Sequence, residues 1–163
     1  QWSSSAASDV YKRQVIGEQR KGGHTERLIK KLNLQKRVNF FSNLKQEDLR
    51  STYCEAELAV IPSLYEGFGF AAIEAMACGV PLISTSGGAL PEVVKDAGII
   101  IPPKKTKEIY NAVDFLLSSP DKAKDLSEKA LERANFKFSW ETIARKLEKV
   151  YLKEMEIFKN ANN

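Results

Sequence analysis

The sequence predicts an α/β fold in which a parallel β-sheet is flanked by helices. Short apolar segments of strand length alternate with amphipathic helical segments from Val15 onward, a pattern typical of parallel strands joined by crossover helices. The 163 residues, 43% hydrophobic and 28% charged, suffice for one domain with a full hydrophobic core.

Five segments have the composition of strands: residues 15–16, 37–41, 57–61, 81–84 and 98–101. Turn residues follow four of them, and two prolines stop the last one. In a doubly wound sheet, ligands bind beyond the carboxyl ends of the strands. We therefore expect the loops at Gly17, Ser42, Pro62 and Ser84 to converge on one cleft.

Helices are predicted at residues 25–34, 46–54, 70–78, 90–95, 107–117 and 121–135, with a last helix after residue 139. Leu28, Ile29 and Leu32 give the first its helical spacing, and Pro91 suits the first turn of the fourth. Residues 118–120, Ser-Ser-Pro, separate the fifth helix from the sixth.

The last helix combines a polar cap with a long apolar stripe. Ser139 is a candidate N-cap, and the stripe after it contains Trp140, Ile143, Leu147, Val150, Tyr151 and Met155. We expect Trp140 to pack this helix onto the domain, since a large ring buries much apolar area. The final residues 160–163 are expected to fray.

Composition excludes several functional classes. The net charge of +4 comes from 25 basic and 21 acidic residues that are interspersed, which is not the footprint of a nucleic-acid surface. Cys54 and Cys78 lack metal-ligand spacing and are expected to be buried, and His24 is the sole histidine, so no metal site is predicted. Without a signal peptide or a membrane-spanning segment in the sequence, we expect a cytoplasmic protein.

The most informative segment is residues 62–81, PSLYEGFGFAAIEAMACGVP. Gly67 and Gly69 allow a close backbone approach to a ligand, and good helix formers begin at about Phe70. The N-terminus of that helix suits an anion. Glu66 lies on the loop and Glu74 in the helix, so both carboxylates are expected to face one pocket, where they would accept hydrogen bonds from sugar hydroxyls.

This segment resembles the signature of the family-4-like, or group 1, glycosyltransferases of the GT-B fold. Glu66 and Glu74 match the family's Glu-x7-Glu pattern, and GVPLISTSGGALPEVVKDAG, IIIPP and FSWETIARKLEKVY follow in the family's order. The resemblance runs from about Val15 to about Phe158. It implies the C-terminal half of a GT-B fold, a Rossmann-like domain that binds a nucleotide sugar.

The resemblance also implies roles for particular residues. Glu74 would hold the ribose hydroxyls, and Glu66 would contact the donor sugar and stabilise positive charge near its anomeric carbon. Gly67, Phe68, Gly69 and Phe70 would bind the sugar or the diphosphate through their backbone N–H groups, although core packing explains the two phenylalanine rings equally well.

Seven other candidate residues also have simpler structural explanations. By resemblance, residues 42–44 (Ser42, Asn43 and Leu44) lead to the base pocket, and a plain turn is the alternative. Gly87 and Gly88 suit a second anion-binding loop or a turn. Lys21 and His24 are more simply surface residues than phosphate ligands.

The implied activity is retaining, metal-independent transfer of a hexose-type sugar from a nucleoside diphosphate to an acceptor hydroxyl. It needs no cofactor beyond the donor. The acceptor, a glycan or a lipid-linked sugar, would bind an N-terminal domain that this sequence lacks, and peripheral association with the inner face of the membrane would fit such an acceptor. The family's diphosphate-binding Arg and Lys would precede Val15, so this chain alone is expected to transfer no sugar at a useful rate.

The first fourteen residues, QWSSSAASDVYKRQ, do not share the pattern of the rest. We interpret residues 1–14 as a non-native or disordered leader and residues 15–163 as the nucleotide-sugar-binding domain. Two alternatives to a transferase remain, namely a non-catalytic nucleotide-binding module and another GT-B enzyme such as a sugar-nucleotide epimerase. A dehydrogenase is disfavoured because no G-x-G-x-x-G follows a first strand.

Overall fold

The computed structural model describes residues 13–18 and 21–161. The chain divides into two compact units, Gln1–Leu49 and Arg50–Asn163, and each is described by itself. Most of the predicted leader therefore lies outside the described residues.

The first unit contains two paired strands and a short helix. Strand β1, Arg13–Ile16, pairs in parallel with β2, Val38–Phe41, so that Val15 lies opposite Phe40. Helix α1, His24–Lys31, lies between them in the sequence. Strand β1 begins two residues before the predicted start at Val15, inside the segment that we interpreted as a leader.

The second unit holds the remaining elements, apart from the first residues of α2. In chain order these elements are α2 (Gln46–Cys54), β3 (Ala59–Ile61), α3 (Phe70–Ala77), β4 (Leu82–Thr85), α4 (Leu90–Val94), a 3₁₀ turn (Lys95–Ala97), β5 (Ile99–Ile101), α5 (Thr106–Ser118), α6 (Pro120–Phe138) and α7 (Trp140–Ala161).

Strands β3, β4 and β5 form a parallel sheet with β4 in the centre. All four residues of β4 are buried, as expected for a strand that is covered on both faces. The predicted α/β fold with parallel strands and flanking helices is confirmed. The pairing among the described strands forms two ladders, β1–β2 and β3–β4–β5, where the sequence had suggested a single sheet.

The core of the second unit lies against this sheet. Ile83 of β4 packs in one buried cluster with Leu116 of α5 and Leu126 of α6. Helix α6 also fixes α4, because the Arg133 guanidinium donates to the backbone carbonyls of Val93 (2.6 Å) and Glu92 (2.7 Å). These bonds satisfy carbonyls that a helix end leaves without intrahelical partners.

The prediction for Trp140 is wrong. Its side chain is 84% exposed, and no residue of α7 is buried. The apolar stripe exists, but in the described part of the chain no element covers it sufficiently to bury one residue. The predicted cap is present, since Ser139 Oγ accepts a hydrogen bond from the Thr142 N–H at 3.3 Å. The helix continues to Ala161, past the predicted start of fraying.

The prediction that both cysteines are buried is also wrong. Cys54 is exposed and Cys78 is only partly buried, and both are free thiols. Both cysteines lie at helix ends, since Cys54 is the last residue of α2 and Cys78 is the C-cap of α3, and neither belongs to the buried part of its helix. Within residues 13–18 and 21–161, no helix is both long and apolar enough to span a lipid bilayer.

Candidate functional site

The glycine-rich loop between β3 and α3 ends at Gly69, which fits its place for two separate reasons. Gly69 is the N-cap of α3 with φ of 90°, in the left-handed region that favours glycine. A Cβ at this position would also lie 3.3 Å from the Leu90 side chain and 3.6 Å from that of Val93. The loop at Gly69 therefore packs closely against α4, the helix that Arg133 fixes, and only glycine leaves room for this approach.

The first turn of α3 presents backbone N–H groups at the end of the loop. The first intrahelical hydrogen bonds of α3 run from the N–H groups of Ala72 (3.0 Å) and Ile73 (3.1 Å) to the carbonyl of Gly69. The N–H groups of Phe70 and Ala71, which come before them, have no intrahelical acceptor. Together with the helix dipole, these groups make the N-terminus of α3 favourable for an anion.

The two phenylalanine rings of the loop lie at the surface. The Phe68 side chain is 47% exposed and that of Phe70 is 66% exposed, and their ring centroids are 4.6 Å apart with a 38° tilt. The two rings therefore lie outside the core, in contrast to the core packing that the sequence analysis considered as an alternative. In the sequence they lie on either side of Gly69, the N-cap of α3.

The backbone of Glu66 is held in place by the turn that follows β4. Its carbonyl accepts a hydrogen bond from the Ala89 N–H at 2.9 Å. Gly88, with φ of +63°, packs so tightly here that a Cβ would lie 2.8 Å from the Glu66 nitrogen and closer still to its carbonyl oxygen. A Cβ at Gly87 would likewise lie 2.6 Å from the Leu64 carbonyl oxygen. The glycine pair thus allows two loops to pack backbone against backbone.

A hydroxyl network joins the Glu66 side chain to the same turn. The Ser63 hydroxyl donates to Glu66 Oε2 at 3.4 Å, and the hydroxyl of buried Thr85 donates to the Ser63 carbonyl. Glu66 is itself half-buried. Backbone and side-chain contacts from the end of β4 therefore hold the first of the two glutamates.

Glu74 is half-buried in the middle of α3, and the hydroxyl of buried Tyr53 from α2 donates to the Ala71 carbonyl in the first turn of the same helix, at 3.4 Å. Burial raises the pKa of Glu74 above its ordinary value, while the polar hydroxyl of Tyr53 opposes that rise. Burial and the nearby Glu74 charge together raise the pKa of Tyr53 to about 12.

Sequence reasoning missed three residues that hold this site, namely Tyr53, Thr85 and Gly88. No role was assigned from the sequence to Tyr53 or Thr85, and Gly88 was considered only as part of an anion-binding loop or a turn. The only signal for Tyr53 and Thr85 was that each side chain carries a hydroxyl group, which needs a hydrogen-bond partner when it is buried. The contacts themselves join segments far apart in the sequence.

The candidate base-pocket residues lie in the first unit. Ser42 and Asn43 are exposed and Leu44 is half-buried, and Asn43 has φ of 54°, which is typical of a turn. Lys21 and His24 are exposed, in agreement with a surface role. Convergence of residues 42–44 with the glutamates on one cleft stays a prediction. Among the described residues, no cluster of three or more His, Cys, Asp or Glu side chains could hold a metal ion.

Comparison with known proteins identifies relatives of this architecture. The family model described as "Glycosyl transferases group 1" matches residues 5–133. The MMP α-(1→4)-mannosyltransferase of Mycolicibacterium hassiacum is 38% identical over 143 residues, which cover 86% of this chain and 35% of that protein.

Two solved structures show the same fold. Sucrose-phosphate synthase from Thermosynechococcus elongatus superimposes with a TM-score of 0.79 at 32% identity, over 94% of this chain and 41% of that one. Anabaena HepE in complex with UDP-glucose superimposes with a TM-score of 0.78 at 23% identity, over 87% of this chain and 41% of that one. This chain therefore spans between 35% and 41% of the length of these three proteins.

Proposed function

Since the chain belongs to the group 1 glycosyltransferase family, we propose that it forms the donor-binding part of an enzyme that transfers a sugar from a nucleoside diphosphate. One observation carries this proposal. Two half-buried carboxylates bracket the α3 N-terminus in the sequence, Glu66 in the loop before it and Glu74 within the helix, and contacts from the turn after β4 hold the backbone of Glu66.

Each part of this arrangement suits one part of a nucleoside diphosphate sugar. A carboxylate can accept hydrogen bonds from both hydroxyls of a diol, so Glu74 would hold the ribose, as the resemblance to the family implies. The N–H groups of Phe70 and Ala71 would bind the diphosphate, with the helix dipole stabilising its negative charge. Glu66, in the loop that leads into the α3 N-terminus, would then contact the sugar.

The proposed reaction transfers a hexose-type sugar with retention and without a metal ion. The bond from the anomeric carbon to the diphosphate breaks, and the acceptor oxygen bonds to that carbon on the same face while its proton passes to the departing diphosphate. The Glu66 carboxylate would stabilise the positive charge that develops on the sugar. Negative charge on the leaving group would be stabilised by the α3 N-terminus, the part that a metal ion plays in other enzymes.

The acceptor that we propose is a glycan or a lipid-linked sugar, bound by a part of the enzyme outside this chain. Peripheral association with the inner face of the membrane would suit a lipid-linked acceptor, and the net charge of +4 would favour anionic lipids. Co-sedimentation of the chain with anionic and with neutral vesicles tests this association. Equal recovery from both would contradict it.

Replacing Glu66 separates a sugar-transferring site from a module that binds only the nucleotide. The chain and its Glu66→Gln variant are titrated by calorimetry with UDP-glucose and UDP, and with GDP-mannose and GDP. We expect Glu66→Gln to weaken binding of the preferred nucleotide sugar about tenfold while changing binding of the matching nucleotide less than about twofold, because only the sugar contacts Glu66. Equal losses for both ligands would contradict the role of Glu66, and no binding of any nucleotide would contradict the proposed function.

A further inference from the structure

Arg133 of α6 carries a charged group that the proposed reaction does not use, and the partners of this group are backbone carbonyls of α4. Its side chain is half-buried. Nε donates to the Val93 carbonyl at 2.6 Å and Nη2 to the Glu92 carbonyl at 2.7 Å, while the centroid of the Phe138 ring lies 5.9 Å from the guanidinium carbon. A planar guanidinium that bonds two neighbouring carbonyls is held in one orientation.

Helix α4 needs such support because it is short. Its five residues form little more than one turn, and an isolated helix of that length is unstable in water. Glu92 and Val93 lie in its last turn, where carbonyls have no acceptor role within the helix to fill. The guanidinium satisfies both carbonyls, and its positive charge also suits the C-terminal end of a helix.

The start of α4 holds the glycine-rich loop at two points. The N–H of Ala89, the N-cap of α4, donates to the Glu66 carbonyl at 2.9 Å. A Cβ at Gly69 would lie 3.3 Å from the Leu90 side chain and 3.6 Å from that of Val93, and both of these side chains are buried. A shift of α4 would therefore displace the backbone of Glu66 and also the N-cap of α3.

We propose that Arg133 is a positioning residue of the donor site. Its guanidinium fixes α4, and α4 in turn sets the spacing between Glu66 and the N–H groups of Phe70 and Ala71. The inference rests on the proposed function, in which those groups bind the sugar and the diphosphate of the donor. It goes beyond that function, because it assigns their spacing to a side chain on α6, outside both the loop and α3.

The test compares variants of Arg133 with a matched variant on the same helix. Arg133→Met keeps most of the length of the side chain and removes every donor, and Arg133→Lys keeps the charge without the planar fork. Ser127→Ala is the control, because the Ser127 hydroxyl also donates from α6 to a backbone carbonyl, that of Gly79, beyond the opposite end of α3. Each 163-residue chain is titrated by calorimetry with UDP-glucose and GDP-mannose, at a temperature where circular dichroism shows it to be folded.

We expect Arg133→Met to weaken binding of the preferred nucleotide sugar about tenfold, because a small shift of α4 misplaces Glu66 relative to the α3 N-terminus. Arg133→Lys should weaken it about threefold, since one ammonium group replaces two donors of fixed geometry. Ser127→Ala should stay within about twofold of the parent chain, because its hydrogen bond is made away from the loop.

Backbone NMR of the unliganded chains supplies a readout that a loss of stability alone would not move. The amide signals of Gly69, Phe70 and Ala89 should shift in Arg133→Met, whereas the amide signal of Gly79 should not. Ser127→Ala should give the opposite pattern.

Unchanged binding by folded Arg133→Met, or an equal loss in Ser127→Ala, would overturn the inference and leave the proposed function intact. If Arg133→Met does not fold, Arg133→Lys decides the matter, and binding equal to that of the parent chain would overturn the inference. If the parent chain binds neither nucleotide sugar, the proposed function fails and the inference fails with it.

Discussion

Helices α3 and α7 both follow from apolar patterns in the sequence, yet the structure treats them in opposite ways. The eight residues of α3 include three that are buried, Ala72, Ala75 and Met76. None of the 22 residues of α7 is buried, and Trp140 at its start is 84% exposed. Periodicity thus predicts that a helix has an apolar face, whereas burial of that face depends on residues elsewhere in the chain.

The contrast also explains why the candidate site lies on α3. A carboxylate can be oriented only if its helix is fixed, and α3 packs against β4, α4 and α6. The short side chains of Ala72 and Ala75 allow this close approach, and the loop before α3 is held by Gly88 and Thr85. A functional side chain on α7 would have no comparable support from the described residues.

The largest difference between the two helices should appear when the same residue type is truncated in each. Met76 is fully buried in α3, and Met155 is 56% exposed in α7. We expect Met76→Ala to lower the free energy of unfolding by about 2–5 kcal/mol, because it leaves a cavity. Met155→Ala should lower it by less than about 1 kcal/mol, as is typical at an exposed position. Urea unfolding of both variants measures the difference, and equal losses would contradict the burial that separates the helices.

A methyl group added beside Glu66 should be the next largest effect. Gly88→Ala places a Cβ against the Glu66 backbone at a left-handed φ, which we expect to cost about 1–3 kcal/mol and to displace Glu66. Gly67→Ala is the stability control, because a Cβ there would meet nothing within 4 Å. Its change in unfolding free energy should stay within about 0.5 kcal/mol. If both variants melt like the parent chain, the turn after β4 does not hold the loop.

Glu74→Gln should stabilise the chain at neutral pH while it removes donor binding. The folded state holds the Glu74 proton more tightly than the unfolded state, whose pKa is near the ordinary 4.5. As pH rises from about 4.5 through the raised pKa, this carboxyl therefore lowers stability, and a neutral amide avoids that loss. We expect the melting temperature of Glu74→Gln to exceed that of the parent chain at pH 7.5 and not at pH 4. A lower melting temperature at pH 7.5 would contradict the assigned burial of the charge.

The smallest effect should come from Trp140. Removing a ring that is 84% exposed should change the free energy of unfolding by no more than about 0.5 kcal/mol. Burial of the ring, as the sequence had suggested, would instead make Trp140→Ala cost about 3–5 kcal/mol. Urea titration of this single variant distinguishes the two.

Local signals in the sequence predicted the elements well. Helix α2 has the predicted bounds, and glycine and proline marked the ends of β3 and β5. The Glu-x7-Glu spacing identified both candidate carboxylates. The residues that hold them were not predicted, because Thr85 and Gly88 contact the loop from the next strand and Tyr53 reaches α3 from the preceding helix. Contacts between distant segments leave no periodic signal, and the same limit explains the wrong predictions for Trp140 and the cysteines.

The central claim, that nucleotide sugars bind at the α3 N-terminus, is tested most directly by NMR. Backbone amide shifts of the isotopically labelled chain are followed as UDP-glucose or GDP-mannose is added. We predict that the largest changes fall on Gly67, Gly69, Phe70 and Ala71, with smaller ones near Gly88 and none between Glu148 and Ala161 of α7. Changes confined to α7, or spread evenly along the chain, would contradict the claim.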